Sequence, residues 1–297
     1  MFLRITLLAT AMSLAALSEP TPSFDIQGHR GCRGLMPENS IPAFKKALDL
    51  GVTTLELDVV ISQDGQVVVS HEPYMNADFC IAPDGRPVEK RAQKSLNLYK
   101  MPYAEIARYD CGSNGNPGYP EQQKMKVSKP LLREAIREAE AYMKQKALNP
   151  VQYNIELKSE EKEYGLSQPP VPEFSDLVYR VIIEQLPADR VIIQSFDFNV
   201  LKHWKRQIDA GNYKKVRLAA LVANLKSMDA HLSELGFKPD VYSPYFKLLS
   251  REKIQKLHSQ NIRVIPWTVN QVNDMKELKG WGVDGLITDY PDRAKTL

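Results

Sequence analysis

The chain has 297 residues, 43% hydrophobic and 25% charged, an ordinary globular composition that is too long for a minimal domain. Length alone allows one large α/β barrel or two smaller domains. The formal net charge of +3 comes from 39 basic and 36 acidic residues, and no basic run is dense enough to form a nucleic-acid footprint.

In chain order, the N-terminus reads first as an export signal. Arg4 is the only charge before the uncharged, mostly apolar run Ile5–Leu17, which is too short to span a bilayer. Ala16-Leu17-Ser18 presents small residues where a signal peptidase reads, which predicts cleavage near Ser18. Residues 1–18 are then a signal peptide, and residues 19–297 a periplasmic or secreted protein without stable membrane insertion. The other reading of this run is a buried N-terminal helix.

Beyond it, β-rich runs alternate with helical patterns, which predicts a parallel sheet covered by helices. The predicted strands are Phe24–Gly28, Thr53–Val60, Gln152–Lys158, Val191–Phe196, Val216–Val222, Val241–Ser243, Ile262–Thr268 and Gly285–Thr288. Predicted helices lie near Pro37–Leu50, Pro130–Leu148, Pro172–Leu186, Asn199–Ile208, Arg251–Ser259 and Val272–Leu278. In the second of these, Leu131, Leu132, Ala135, Ile136, Ala139, Tyr142 and Met143 fall on one stripe at helical spacing. Eight strands with outer helices predict a (β/α)8 TIM barrel, whose site belongs at the C-terminal ends of the strands.

Two segments depart from that rhythm. Gln66–Glu72 is strand-like but follows the second strand after only a short gap at Asp64-Gly65, so the two runs must be antiparallel. A two-residue Asp-Gly turn would place His71 directly across from Asp58, with Cβ atoms roughly 5 Å apart. The stretch 74–129 is rich in Pro, Gly, Asn and Tyr and reads as a small inserted subdomain beside the mouth. Export permits a disulfide, and Cys80 with Cys111 is the natural pair within that insertion. Cys32 is left over, and its position after His29-Arg30-Gly31 raises the alternative of a cysteine nucleophile.

The nearby carboxylates suggest other chemistry. In Glu56-Leu57-Asp58 the two acids share one strand face, and they repel unless a cation or a shared proton relieves them. Glu156 and Lys158 share a face on the next barrel strand, either as further site residues or as an internal salt bridge. An exposed acidic strand face is the competing reading of Glu56 and Asp58. Three carboxylates without a soft ligand suit one hard divalent cation, Ca²⁺ or Mg²⁺. Three acids and a dication leave one negative charge, which Arg30 and Lys158 offset for an anionic phosphodiester. His29 and His71 are candidate general base and acid, with unperturbed pKa values near ~6.5. The remaining histidines, His203, His231 and His258, fall in helical patterns.

Taken together, His29-Arg30-Gly31, Pro37-Glu38-Asn39-Ser40, Glu56-x-Asp58, Asp64-Gly65, His71-Glu72 and Glu156-x-Lys158 resemble the ordered motifs of the glycerophosphodiester phosphodiesterase family. Ser195-Phe196-Asp197, Trp267-Thr268-Val269-Asn270 and Asp284-Gly285-Leu286-Ile287-Thr288-Asp289 are similar to its C-terminal signatures, so the resemblance runs from about Ile26 to Pro291. It implies a (β/α)8 fold and hydrolysis of a small-molecule glycerophosphodiester to glycerol 3-phosphate and an alcohol. On matching positions it implies His29 and His71 as the acid–base pair, Glu56, Asp58 and Glu156 as metal ligands, and Arg30 and Lys158 as phosphate contacts. Trp267 and Phe196 are assigned to the glycerol end, with barrel core as the other reading. The insertion is similar to that of the exported, calcium-favouring branch. Cys32 and Glu72 depart from the family pattern, where a small residue and Asp are more usual. A lipid-directed phosphodiesterase, of lysophospholipase D or phospholipase type, and a non-catalytic phosphate-ester binding protein are the competing functions. The leaving alcohol and oligomeric state are not written in the sequence.

Overall fold

A computed structural model describes residues 24–297; the predicted signal segment lies outside the described residues. In chain order the elements are β1 (Asp25–Gly28), α1 (Ile41–Asp49), β2 (Thr54–Ile61), β3 (Val67–Val69), α2 (Tyr103–Ile106) and α3 (Leu132–Lys146). They continue as β4 (Gln152–Leu157), α4 (Val171–Gln185), β5 (Val191–Ser195), α5 (Phe198–Asp209), β6 (Arg217–Val222) and α6 (Met228–Leu235). The last are β7 (Val241–Pro244), α7 (Arg251–Ser259), β8 (Arg263–Val264), α8 (Val272–Trp281), β9 (Gly285–Thr288) and α9 (Pro291–Ala294). The parallel strands follow the order β8-β7-β6-β5-β4-β2-β1-β9. Backbone bonds from Asp284 to Val264 and from Val269 to Ile287 bring the two ends of that order together. The fold is a (β/α)8 barrel, as the alternation of elements predicts.

Each barrel strand is buried on both faces, which is why β2 reads TLELDVVI with no exposed position. Leu55, Leu57, Ile155 and Ile193 point outward to α1, α3 and α4. Inside, the half near β7 to β9 is apolar, with Val241, Ile265 and Ile287 in one cluster. The half near β1 to β5 is polar: Asn154 Nδ2 donates to Gln27 Oε1 at 2.7 Å and to Gln194 Oε1 at 3.0 Å. The chain therefore places its acids on the polar side of the lumen.

Three expectations are corrected in detail. The hairpin pairs Val59 with Val69 and Val60 with Val68, one residue away from the predicted register, so Ser70 rather than His71 lies opposite Asp58. The cause is a three-residue loop, Gln63-Asp64-Gly65, closed by Ser62 N to Gln66 O and ending on Gly65 at φ +70°. The seventh predicted strand, Ile262–Thr268, is shorter as a regular ladder, because Pro266 has no N–H to donate, although Ile265 and Trp267 still bond to Tyr242 and Pro244. α6 was not predicted; its inward face is Met228, His231 and Leu235 with Leu232 half-buried beside them, and its true signals are the Ser227 N-cap and left-handed Gly236.

The segment 74–129 forms its own small core of Met75, Phe79, Val88, Leu98, Met101, Ile106 and Tyr109 against Val60 and Val68 of the hairpin. Cys80 and Cys111 are bonded to each other within it. Cys32 is free and fully buried, and its Sγ donates to Ala43 O at 3.3 Å. Burial pushes that thiol up to about 12, which removes it as a nucleophile.

Arg30 and Gly31 both have left-handed backbones, φ 50° and 85°, and turn the chain from β1 beneath α1. A Cβ on Gly31 would lie 2.8 Å from Ala43 backbone and side chain. Gly31→Ala should cost about 1–2 kcal/mol from backbone conformation alone, with the steric conflict added. The expected result is a Tm drop of at least ~3 °C in thermal unfolding; an unchanged Tm would contradict this account of the turn.

Candidate active site

Pairing of β2 with β4 sets Asp58 beside Glu156, and the period of two sets Glu56 on the same face. One ligand oxygen from each of Glu56, Asp58 and Glu156 lies within 4.8 Å of the others, and all three residues are buried. Each acid is anchored. Glu56 Oε2 accepts from the Arg30 backbone N–H at 2.8 Å and its Oε1 accepts from Gln194 Nε2 at 2.8 Å. Asp58 Oδ2 accepts from Asn39 Nδ2 at 2.9 Å, while its buried Oδ1 has no hydrogen-bond partner.

Burial and the adjacent Asp58 push the Glu56 carboxyl well above its ordinary value, and Glu156 adds to that. Burial also raises Glu156, partly offset by Lys158. Asp58 runs the other way: burial opposes its charge, but Arg30, His71 and Lys158 together hold it ionised. The orphaned oxygen, the all-carboxylate donor set and the mutual repulsion fit a hard divalent cation. The cluster is thus a candidate metal centre.

The cations surround it. Arg30 donates through Nη1 to Glu38 Oε1 at 2.7 Å, and its Nε lies 3.3 Å from Asp58 Oδ2. Lys158 donates to Glu156 Oε1 at 2.6 Å and is 3.9 Å from Asp58 Oδ1, so the internal salt bridge is present in this structure. Arg33 adds a third cation at the mouth, with Nε donating to Asp289 Oδ1 at 2.7 Å.

Both histidines are paired through Nδ1 with a carboxylate. His29 Nδ1 is 2.6 Å from Asp289 Oδ1, and His71 Nδ1 is 2.9 Å from Glu72 Oε1. That pairing fixes each ring and reserves Nε2 for chemistry. His29 is buried, whereas the His71 side chain is 31% exposed. Burial first, then Arg33, lowers His29 to about 4 despite Asp289, so its ring is neutral at pH 7.

Two cavities meet at this point. A smaller one of about 190 Å³ is lined by His29, Arg30, Arg33, Phe196 and Trp267 among others. A larger groove of about 630 Å³ runs between the insertion and the β4–α4 loop, past Glu72, Tyr74, Asn97, Glu160 and Glu163. His71, Glu156, Lys158 and Phe196 line both; His29 lines only the smaller. Phe196 and Trp267 meet edge to face at 5.3 Å at the junction. Trp267 Nε1 donates to Ser243 O, which orients its ring at the mouth.

Residue-type reasoning missed the supports of this site. Asp289 and Asn39 were visible only as members of motifs, and Gln194 carried no signal beyond its inward position on β5. Arg33 was unmarked because a lone arginine in a loop has no pattern.

Acids arranged for a hard cation, basic side chains for an anion and two imidazoles at the meeting of two cavities place this barrel among hydrolases of phosphoric esters. The chain belongs to the Glycerophosphoryl diester phosphodiesterase family, whose profile matches residues 29–293. A Bacillus subtilis protein named glycerophosphodiester phosphodiesterase is 27% identical, with 89% of this chain and 83% of the relative covered. A rat protein named lysophospholipase D is 22% identical over 90% of this chain and 83% of its own length. The crystal structure of a glycerophosphoryl diester phosphodiesterase from Silicibacter pomeroyi superposes with a TM-score of 0.81 at 26% identity, covering 94% of this chain and 93% of that one. An Oleispira antarctica phosphodiesterase, solved with the product sn-glycerol-3-phosphate, superposes with a TM-score of 0.70 at 22% identity, covering 92% and 95%.

Because His29 is held near 4, its neutral form persists well into the acid range, and kcat/KM carried by it should fall only as pH drops toward that value. Asp289→Asn removes the partner that raises and orients His29. It should lower kcat on the order of 100-fold at neutral pH, with the protein still folded by circular dichroism. Full activity in that variant would break the link between Asp289 and turnover.

Proposed function

We propose that this enzyme hydrolyses glycerophosphodiesters to glycerol 3-phosphate and an alcohol, with His29 as general base and His71 as general acid. The observation that carries the assignment is the lining of the two cavities: His29 faces only the small one, and His71 faces both. A small cavity of about 190 Å³ suits the glycerol end, and the larger groove suits the leaving alcohol. His71 then stands at the scissile P–O bond. Its Nε2–H passes a proton to the departing alcohol oxygen as the P–O bond to that alcohol breaks. Neutral His29 takes at its own Nε2 the proton of the nucleophile, either water or the neighbouring glycerol hydroxyl, whose cyclic phosphate water then opens. The base must be unprotonated at the start, and the low pKa of His29 meets that need.

Arg30 and Lys158 face the small cavity and neutralise the diester. Lys158 can turn from Glu156 to the phosphate without leaving the acids unpaired if a cation holds them. Glu56, Asp58 and Glu156 would hold one Ca²⁺ or Mg²⁺, which when bound supplies charge neutralisation at a phosphate oxygen. The same proposal includes export, and the Cys80–Cys111 bridge supports it because such bonds persist in oxidising compartments. Among the described residues no helix is long and apolar enough to cross a membrane.

A lysophospholipid is the second substrate class, favoured by one observation. Leu166, Phe196 and Leu225 are exposed on the successive loops after β4, β5 and β6. The groove wall sets Glu72, Lys94, Asn97, Glu160 and Lys162 beside Pro73, Tyr74 and Phe196, and its charged groups favour a hydrophilic alcohol.

Glycerol 3-phosphate release from glycerophosphocholine should be abolished by EDTA and restored by Ca²⁺ or Mg²⁺. His29→Ala should lower kcat on the order of 100-fold or more with metal binding by calorimetry intact. Turnover that survives EDTA would remove the metal, and lysophosphatidylcholine cleaved faster than glycerophosphocholine would replace the polar substrate by the lipid one.

A further inference from the structure

The shifted register of the hairpin leaves a question about His71. Strand alternation from Asp58 does not aim its ring, since β3 ends at Val69 and Ser70 takes the place opposite Asp58. Something else must hold the bend at residues 70–72. The last residues of the insertion return antiparallel to β3: Val68 bridges to Leu131, and Val69 N–H donates to Pro130 O. Two positions further along that register, Lys129 lies opposite Ser70.

Lys129 is a lysine with its side chain in the interior, 7% exposed as a residue. Its Nζ donates to Ser70 Oγ at 2.8 Å, and Ser70 Oγ–H donates to Glu72 O at 2.7 Å. The Glu72 carboxylate in turn accepts from His71 Nδ1. A hydroxyl that accepts from an ammonium must point its one proton away from it, and that of Ser70 goes to the Glu72 carbonyl. The ammonium also sits 6.0 Å from the Phe79 ring of the insertion core. Burying such a charge is costly without compensation. Glu72 and Glu38 provide it. In return, His71 first and then Lys129 hold Glu72 down at about 2 although burial would raise it.

We propose that Lys129 is a positioning residue for proton donation by His71, acting through Ser70 and Glu72, and that the insertion thereby serves the chemistry as well as forming the groove wall. This inference rests on the reading of His71 as general acid. Its function is to keep the Nε2–H on the line to the leaving oxygen.

The leaving group supplies the test. Glycerophosphocholine departs as an alkoxide and needs the proton. The p-nitrophenyl ester of glycerol 3-phosphate departs as a stabilised phenolate and does not. Lys129→Met, assayed with metal on the full chain, should lower kcat for glycerophosphocholine by about 10–100-fold with little change in KM. On the nitrophenyl ester it should stay within about threefold of wild type. Ser70→Ala, which breaks both bonds of the relay, should shift the ratio of the two rates in the same direction, and it decides the matter if Lys129→Met does not fold. Unchanged choline turnover, or equal loss on both esters in a protein with native circular dichroism, would overturn the proposal. His71→Ala separates the two levels. If its loss is equal on both esters, the general-acid reading fails; if its loss is selective and that of Lys129→Met is not, only the positioning role fails.

Discussion

Repulsion among Glu56, Asp58 and Glu156 is the constraint around which the mouth of this barrel is organised. Three buried carboxylates within 4.8 Å cannot all be ionised without opposite charge beside them. The chain answers with Arg30, Lys158 and, further back, Lys129, each itself buried or nearly so. None is independent of the others. Lys158 is on Glu156, Arg30 is shared between Glu38 and Asp58, and Asn39 spends its amide on Asp58. Such a network has to be preorganised by the backbone, and the left-handed Arg30-Gly31 turn performs that step.

On the proposed reading the same balance would couple the two ligands. Lys158 donates to Glu156. A dication held by the acids would free that lysine for an anion, so cation and diester would favour each other's binding through one side chain.

Much of this was legible in the residues. The alternation of apolar strands with amphipathic helices set the barrel, and acids in otherwise apolar strands marked the lumen. Register was less legible, because the Asp64-Gly65 pair fits both a two-residue turn and a three-residue loop, and one residue decides which side chain faces Asp58. α6 escaped because its stripe includes a histidine, His231, which is satisfied by Tyr242 and Asn224 rather than by a ligand. Supports such as Gln194 and Lys129 could not be read from residue type, since each depends on a contact far away in the chain.

The bond between His29 and Asp289 joins residues 260 positions apart, from the first barrel strand to the loop after the last. During synthesis His29 is made early and its partner almost at the end. A ribosome-bound chain that has not reached β9 has no Asp289 carboxylate for His29, and closing the ring pairs the most distant parts of the chain. On the proposed mechanism, competence is thereby tied to completion of the barrel: a truncated or half-folded copy carries Glu56, Asp58 and Glu156 and still lacks the orienting partner of His29.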